Sequence, residues 1–206
     1  MSKQNNTKEI LSITLKLLVI CSIVATIVAS VNAITKERIL HNEKQNTADA
    51  LTDIYKDDYS NSFSVSGDSF IIEENGNAVI TCSQANTEFS SKDVKALYVL
   101  KNAESEVLGY CISVHPMGFK DYIKMLVAIT PENKVKDVKI VSMSETSGIG
   151  TKALEPSFLE QFRDKDNTNG VDTISGATKT SKPVIDGVNA ALSEVASYID
   201  KVGGED

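Results

Sequence analysis

From Leu17 to Ile34 the chain runs 18 residues without a charge, and this stretch limits the fold more than any other. As helix it spans roughly 27 Å at about 1.5 Å per residue, close to the thickness of a bilayer's hydrocarbon core. The apolar run reaches back to Ile10, broken only by Lys16, whose long stem can carry its charge to the membrane surface. Lys3, Lys8 and Lys16 come before the span, so the positive-inside tendency puts the N-terminus in the cytoplasm and the rest outside. Lys36 and Arg38 follow the span and pull the other way, with Glu37 partly offsetting them. A cleaved signal peptide also fits, because Val31-Asn32-Ala33 satisfies the small-residue rule for cleavage. The length of the run, and its passage without a break into a helical pattern, favour a retained single-pass anchor. Both readings export the remainder of the chain.

That division gives a cytoplasmic N-terminus and anchor over 1–34, a polar helical connector over 35–58, and a globular domain over 59–206. The connector keeps helical spacing through Ile39, Leu40, Ala48, Leu51, Ile54 and Tyr55. After Tyr59 the pattern shortens to strand-length runs: Phe63 to Val65, Phe70 to Ile72, Val79 to Cys82, Val94 to Leu100, Val107 to Val114, Met125 to Ile129 and Val135 to Val141. Asn75-Gly76 is a strong hairpin turn between two of them. A short helix over Leu154 to Phe162 follows, and then a longer one from about Ser181 or Lys182 to Val202. The longer helix carries an apolar stripe of Val184, Ile185, Val188, Leu192, Val195, Tyr198, Ile199 and Val202. Pro183 suits its first turn and Gly203-Gly204 its end. Strands first and helices last imply an α+β fold: one transmembrane helix, then a single mixed, largely antiparallel domain.

Charge narrows the partners. Without residues 1–34 the chain holds 18 basic and 27 acidic residues, a net of −9. Nucleic acid is therefore no partner, since phosphate neutralisation needs clustered Lys and Arg. Cys21 lies in the span, while Cys82 and Cys111 lie on separate strands, and His41 and His115 are isolated. These spacings offer no metal or iron–sulfur set. An exported domain permits a Cys82–Cys111 disulfide, and two buried small hydrophobes fit the same pattern.

Two loops carry chemistry. Asp172-Thr173-Ile174-Ser175-Gly176-Ala177-Thr178, followed by Lys179-Thr180-Ser181, packs hydroxyls around the two smallest residues just before a helix. Small residues admit a close neighbour, and helix N–H groups favour an anion. By itself the run reads more readily as a loop that caps a helix. The other is Ser144-Glu145-Thr146-Ser147-Gly148-Ile149-Gly150, whose paired glycines after a strand can approach a planar or phosphate-bearing ligand.

DTISGAT resembles the D-x-x-S/T-G-A-T/S site at which a flavin transferase joins FMN, through its phosphate, to the last residue. The surrounding chain resembles the G subunit of Rnf complexes and, more distantly, the C subunit of sodium-pumping NADH:quinone reductases. The resemblance is strongest between Gly118 and Ser181. It implies covalent FMN on Thr178, with Asp172 and Ser175 orienting the loop and Gly176 and Ala177 giving clearance. The 144–150 loop resembles the family's H-x-E-T-P-G-L-G, which lies against the flavin. Glu145, Thr146, Gly148 and Gly150 match, Ile149 replaces leucine, Ser147 replaces proline and Met143 stands where the histidine does. Gly118-Phe119-Lys120-Asp121-Tyr122-Ile123 resembles G-[YF]-G-G-x-I without its second and third glycines. Phe158-Leu159-Glu160-Gln161-Phe162 resembles W-x-x-Q-F without its tryptophan.

The resemblance implies an electron-relay flavoprotein, not catalytic alone, in a bacterial inner-membrane complex. That complex couples ferredoxin:NAD electron transfer to outward Na+ or H+ translocation. Its implied partners are the other subunits and a maturing flavin transferase. The alternatives are a C-type subunit of the quinone-reducing pump and a membrane-anchored binding module without cofactor.

Overall fold

The computed structural model describes residues 3–204, with side chains from residue 10 onward, so the Lys3 and Lys8 side chains lie outside the described residues. The chain divides into two compact units at Lys44 and Gln45. Helix α1 (Lys3–Tyr55) supplies the first unit and opens the second.

In the first unit Leu17, Leu18, Ile20, Ile27 and Val31 are all exposed. Among the described residues this is the one helix long and apolar enough to cross a membrane. Its hydroxyls do not spoil that surface. Thr14, Thr26, Ser30 and Thr35 each donate to the carbonyl four residues back, at 2.7–2.9 Å, which satisfies a polar group where water is scarce.

In the second unit seven strands form one sheet in simple sequence order. They are β1 (Ser64–Ser66), β2 (Ser69–Glu74), β3 (Asn77–Gln84), β4 (Val94–Asn102), β5 (Val107–Val114), β6 (Lys124–Ile129) and β7 (Val135–Ser142). Every neighbouring pair is antiparallel, an all-hairpin order that suits short connections. Asn75 and Gly76 both take positive φ, 52° and 80°, as the two-residue turn between β2 and β3 requires.

Strand alternation sorts the core into two layers. Leu97, Val99, Tyr110, Ile112, Val114, Met125 and Val127 face one way. Leu100, Cys111, Leu126 and Ala128 face the other, with Ala48, Leu51, Ile54 and Tyr55 from the end of α1. β6 is apolar on both sides because both sides are covered. The first layer is closed by α3 (Thr178–Gly203), whose Val184, Val188, Ala191, Leu192 and Val195 are buried. Phe158 of α2 (Pro156–Leu159) and Phe162 of the 3-10 turn after it join that layer.

One local expectation gives way. Helix α3 begins at Thr178, a turn earlier than Ser181 or Lys182. Hydroxyls and a glycine read as loop, but Ser181 folds back to hold the turn closed. Pro183 therefore lies inside the helix and leaves the Lys179 carbonyl without its usual donor. Cys82 and Cys111 are buried and free. Cys82 opposes Leu100 and Cys111 opposes Tyr98, so β4 lies between them. Two strand spacings put their Cα atoms on the order of 9.5 Å apart, beyond the roughly 7 Å that a disulfide can span.

Candidate functional site

The site forms where the N-terminus of α3 meets two loops at the end of β5 and β7. Ile174 to Ala177 is a tight turn, closed by the Ala177 N–H donating to the Ile174 carbonyl at 2.9 Å. Gly176 has φ 79°, which that turn demands at its third position. The Ser181 hydroxyl secures it, accepting from the Ile174 N–H and donating to the Ala177 carbonyl, both at 3.1 Å. On the outer side the Gln161 side chain accepts the Asp172 N–H at 2.9 Å. Among the described residues neither the Asp172 carboxylate nor the Ser175 hydroxyl takes part in a hydrogen bond. The loop is oriented by Ser181 and Gln161 instead. Gln161 sits in the F-x-x-Q-F run, the sequence signal that points to it.

Thr178 is the first residue of α3, and its side chain is exposed. The Thr180 and Ser181 N–H groups both donate to the Ala177 carbonyl at 2.9 Å. The Thr178 and Lys179 N–H groups are those at the helix start with no carbonyl one turn back. Thr180, by contrast, is 3% exposed and Ser181 is fully buried.

The 144–151 loop winds around the Thr146 carbonyl, which accepts from the N–H groups of Ile149, Gly150 and Thr151. Gly148 has φ 74°, and a Cβ there would meet nothing within 4 Å. Its positive φ alone calls for glycine, and the space beside its Cα is open. Gly150 differs: a Cβ would lie 2.6 Å from the Glu145 Cβ and 3.1 Å from the Thr180 hydroxyl.

Glu145 joins the three segments. One carboxylate oxygen accepts the Phe119 N–H at 2.9 Å and the Lys120 N–H at 3.1 Å. The other accepts the Thr180 hydroxyl at 2.8 Å. A Cβ at Gly118 would collide with the same carboxylate.

These segments enclose a cleft of about 420 Å³, lined by Phe119, Glu145, Thr146, Ile149, Gly150 and residues 176–180. A second hollow of about 540 Å³ lies on the other side of Thr178, against Gly118, Lys182, Pro183 and Asp186. Phe119 and Lys179 line both, the ammonium 5.3 Å from the ring centroid. The structure thus brings Glu145, Thr146, Ile149, Gly150, Gly176, Ala177 and Thr178 together around one cleft. Asp172, Ser175 and Gly148 do not line it. Ala177 is buried, so its methyl fills space under the turn. Sequence reasoning missed Thr180 and Lys179, which read as spare neighbours of the hydroxyl run.

Chemically, the cleft combines an exposed hydroxyl with helix N–H groups and a lysine, a setting suited to a phosphate. Phe119 and Ile149 add apolar surface, 54% and 51% exposed. An anionic group carrying a flat ring system fits this set.

Known proteins place the chain. A family model described as RnfG N-terminal region matches residues 1–54, and one described as FMN-binding domain matches 118–193. The G subunit of the proton-translocating ferredoxin:NAD(+) oxidoreductase complex of Clostridium ljungdahlii is 29% identical over 209 residues, covering 96% of this chain and 98% of that protein. The G subunit of the ion-translocating oxidoreductase complex of Methanosarcina acetivorans is 23% identical, covering 94% and 98%. Among solved structures, Shewanella oneidensis NqrC superposes with a TM-score of 0.45 at 18% identity, covering 60% of this chain and 70% of that one. The chain thus carries an RnfG-type N-terminal region ahead of an FMN-binding domain, and along nearly its whole length it is similar to G subunits of ion-translocating ferredoxin:NAD(+) oxidoreductase complexes.

Proposed function

We propose that this protein is the electron-relay flavin subunit of a membrane complex coupling ferredoxin:NAD electron transfer to ion translocation, with FMN joined to Thr178 as a phosphoester. One observation carries the attachment site. Of the hydroxyls nearest the start of α3, Thr178 is exposed in the cleft, while Thr180 and Ser181 are buried and hydrogen-bonded. Thr173 and Ser175 lie outside the cleft lining.

In the step itself, the Thr178 hydroxyl oxygen attacks the FMN-side phosphorus of flavin adenine dinucleotide. A threonine O–P bond forms, the pyrophosphate P–O bond breaks, AMP leaves and the hydroxyl proton passes to the transferase or to water. The transferase supplies activation, so the domain needs access and positioning rather than its own base. The Thr178 and Lys179 N–H groups and the Lys179 ammonium would hold the phosphate. Phe119 and Ile149 would lie against the flavin ring. Bound flavin supplies reversible electron transfer. A covalent tether keeps it where free FMN would be diluted away, which supports a domain on the extracytoplasmic side.

Co-expression with an active flavin transferase tests the reading. Thr178→Ala removes the in-gel flavin fluorescence and the FMN mass increment, and Thr178→Ser retains part of both. Covalent flavin on Thr178→Ala overturns the attachment site. In intact spheroplasts, added protease reaches the domain if it faces outward, and a protected domain overturns that topology.

A further inference from the structure

The arrangement of Glu145 has a consequence for how the acceptor is presented. Its carboxylate is held by three donors from two separate segments: the Phe119 and Lys120 N–H groups and the Thr180 hydroxyl. At both glycines that flank it, Gly118 and Gly150, a Cβ would run into the glutamate, and at Gly118 also into the Asp121 carbonyl at 2.9 Å. These glycines therefore bring their backbones up to a side chain of this chain. The side chain's hydrogen-bonding capacity is spent on protein donors, which leaves little for a ligand.

We propose that Glu145 is a latch on the first turn of α3: through its hydrogen bond to Thr180 it fixes the register in which Thr178 faces the transferase and Thr180 is withheld. The proposal rests on the reading of Thr178 as the flavin acceptor. The two hydroxyls are two residues apart on a helix and so point about 200° apart around its axis. Rotation of the first turn would exchange their exposure. The Glu145–Thr180 bond, 2.8 Å long and involving a charged acceptor, opposes that rotation. It also ties the turn to the 118–120 backbone, the wall that carries Phe119. On this view Glu145 is a positioning residue that acts through Thr180 and does not contact the flavin.

The experiment uses full-length protein in detergent, purified flavin transferase, Mg2+ and flavin adenine dinucleotide, with FMN incorporation followed by in-gel fluorescence and mapped by peptide mass. Thr180→Ser keeps the hydroxyl and labels within about twofold of wild type. Thr180→Val keeps the shape, removes the donor and slows labelling about tenfold, the scale of one hydrogen bond to a charged group. The loss falls on kcat, with KM for the dinucleotide unchanged. Gly150→Ala displaces Glu145 without removing a polar atom and gives the same defect. Glu145→Ala combined with Thr180→Val is no slower than the slower single variant, because Glu145→Ala already removes the one bond that Thr180→Val removes.

Labelling of Thr180→Val and Gly150→Ala at the wild-type rate overturns the latch. So do losses that multiply in the double variant, which would mean that Glu145 acts on the flavin or the transferase directly. Failure of the underlying reading looks different: wild type then takes no flavin, or its label maps to a residue other than Thr178.

Discussion

The two sides of the sheet are built alike and serve differently. Each is closed by a helix, α3 on one side and the end of α1 on the other, and each buries a dense apolar layer. Their buried polar groups differ in kind. On the α3 side Thr180, Ser181 and Glu194 are buried, and each finds a strong partner: Glu145, the Ala177 carbonyl and the Ser91 N–H. On the α1 side Tyr55, Cys82 and Cys111 meet one another, with the Tyr55 hydroxyl 3.8 Å from the Cys111 sulfur. Sulfur is a weak hydrogen-bond partner. Strong, directed bonds lie on the side that carries Thr178, the hydroxyl proposed as flavin acceptor, and weak ones on the other side.

The sharpest way to break that comparison is to excavate each layer in turn. Phe162 is fully buried on the α3 side, beside the Gln161 that holds Asp172. Phe162→Ala should cost about 3–5 kcal/mol and also slow flavin uptake, because it loosens the segment that anchors the loop. Leu51 is fully buried on the other side. Leu51→Ala should cost about 2–5 kcal/mol yet leave uptake at the wild-type rate wherever the domain stays folded. Urea unfolding followed by circular dichroism measures both, since the chain has no tryptophan. Equal slowing by the two variants would erase the distinction between the sides.

How far the sequence revealed this layout depends on where its signals are local. The sheet was legible because alternation is a local pattern: Leu97 and Val99 face one layer and Tyr98 between them the other. Asn75-Gly76 marked a hairpin because positive φ at both positions leaves few other residues. The start of α3 was misread because the bonds that set it come from Ser181, after the turn, and from Glu145, about thirty residues away. Thr180 stayed invisible for the same reason: a threonine's burial depends on a partner that spacing does not reveal. Gly148 and Gly150 looked equivalent in a G-x-G run, and only their surroundings tell them apart.

That pair gives a smaller test of the same contrast. Gly148→Ala meets no atom but must hold φ 74°, which costs roughly 1–2 kcal/mol. Gly150→Ala drives a methyl against Glu145 and Thr180, an overpacking cost of about 1–3 kcal/mol. Thermal melts should therefore show similar losses. Flavin uptake should separate them, with Gly148→Ala near wild type and Gly150→Ala slow. If Gly148→Ala is the slower of the two, the loop contacts its ligand through the position that points into open space.

The smallest effect, absent at neutral pH, distinguishes the two sides by alkali. Burial pushes the Tyr98 phenol from 10.0 up to about 12, with the neighbouring thiols adding to it. The hydrogen bond with Cys111, followed by burial, raises the Cys82 thiol well above its ordinary 9.0. Burial likewise raises Tyr55. On the α3 side Tyr110 is raised by burial, with Tyr198 nearby. Each group is held neutral by the fold while the unfolded chain can ionise, so the unfolded state loses protons first. Stability from these groups is fully present below the unfolded pKa and is lost as pH rises through the folded one. For Tyr98 that window runs from about 10 to about 12, and for Cys82 it opens near 9. An absorbance titration of tyrosinate, run beside unfolding midpoints at each pH, should show stability falling from pH about 9 upward. Tyr98→Phe and Cys82→Ala should flatten that fall. A slope unchanged in both variants would mean that the α1 side does not hold these acids neutral.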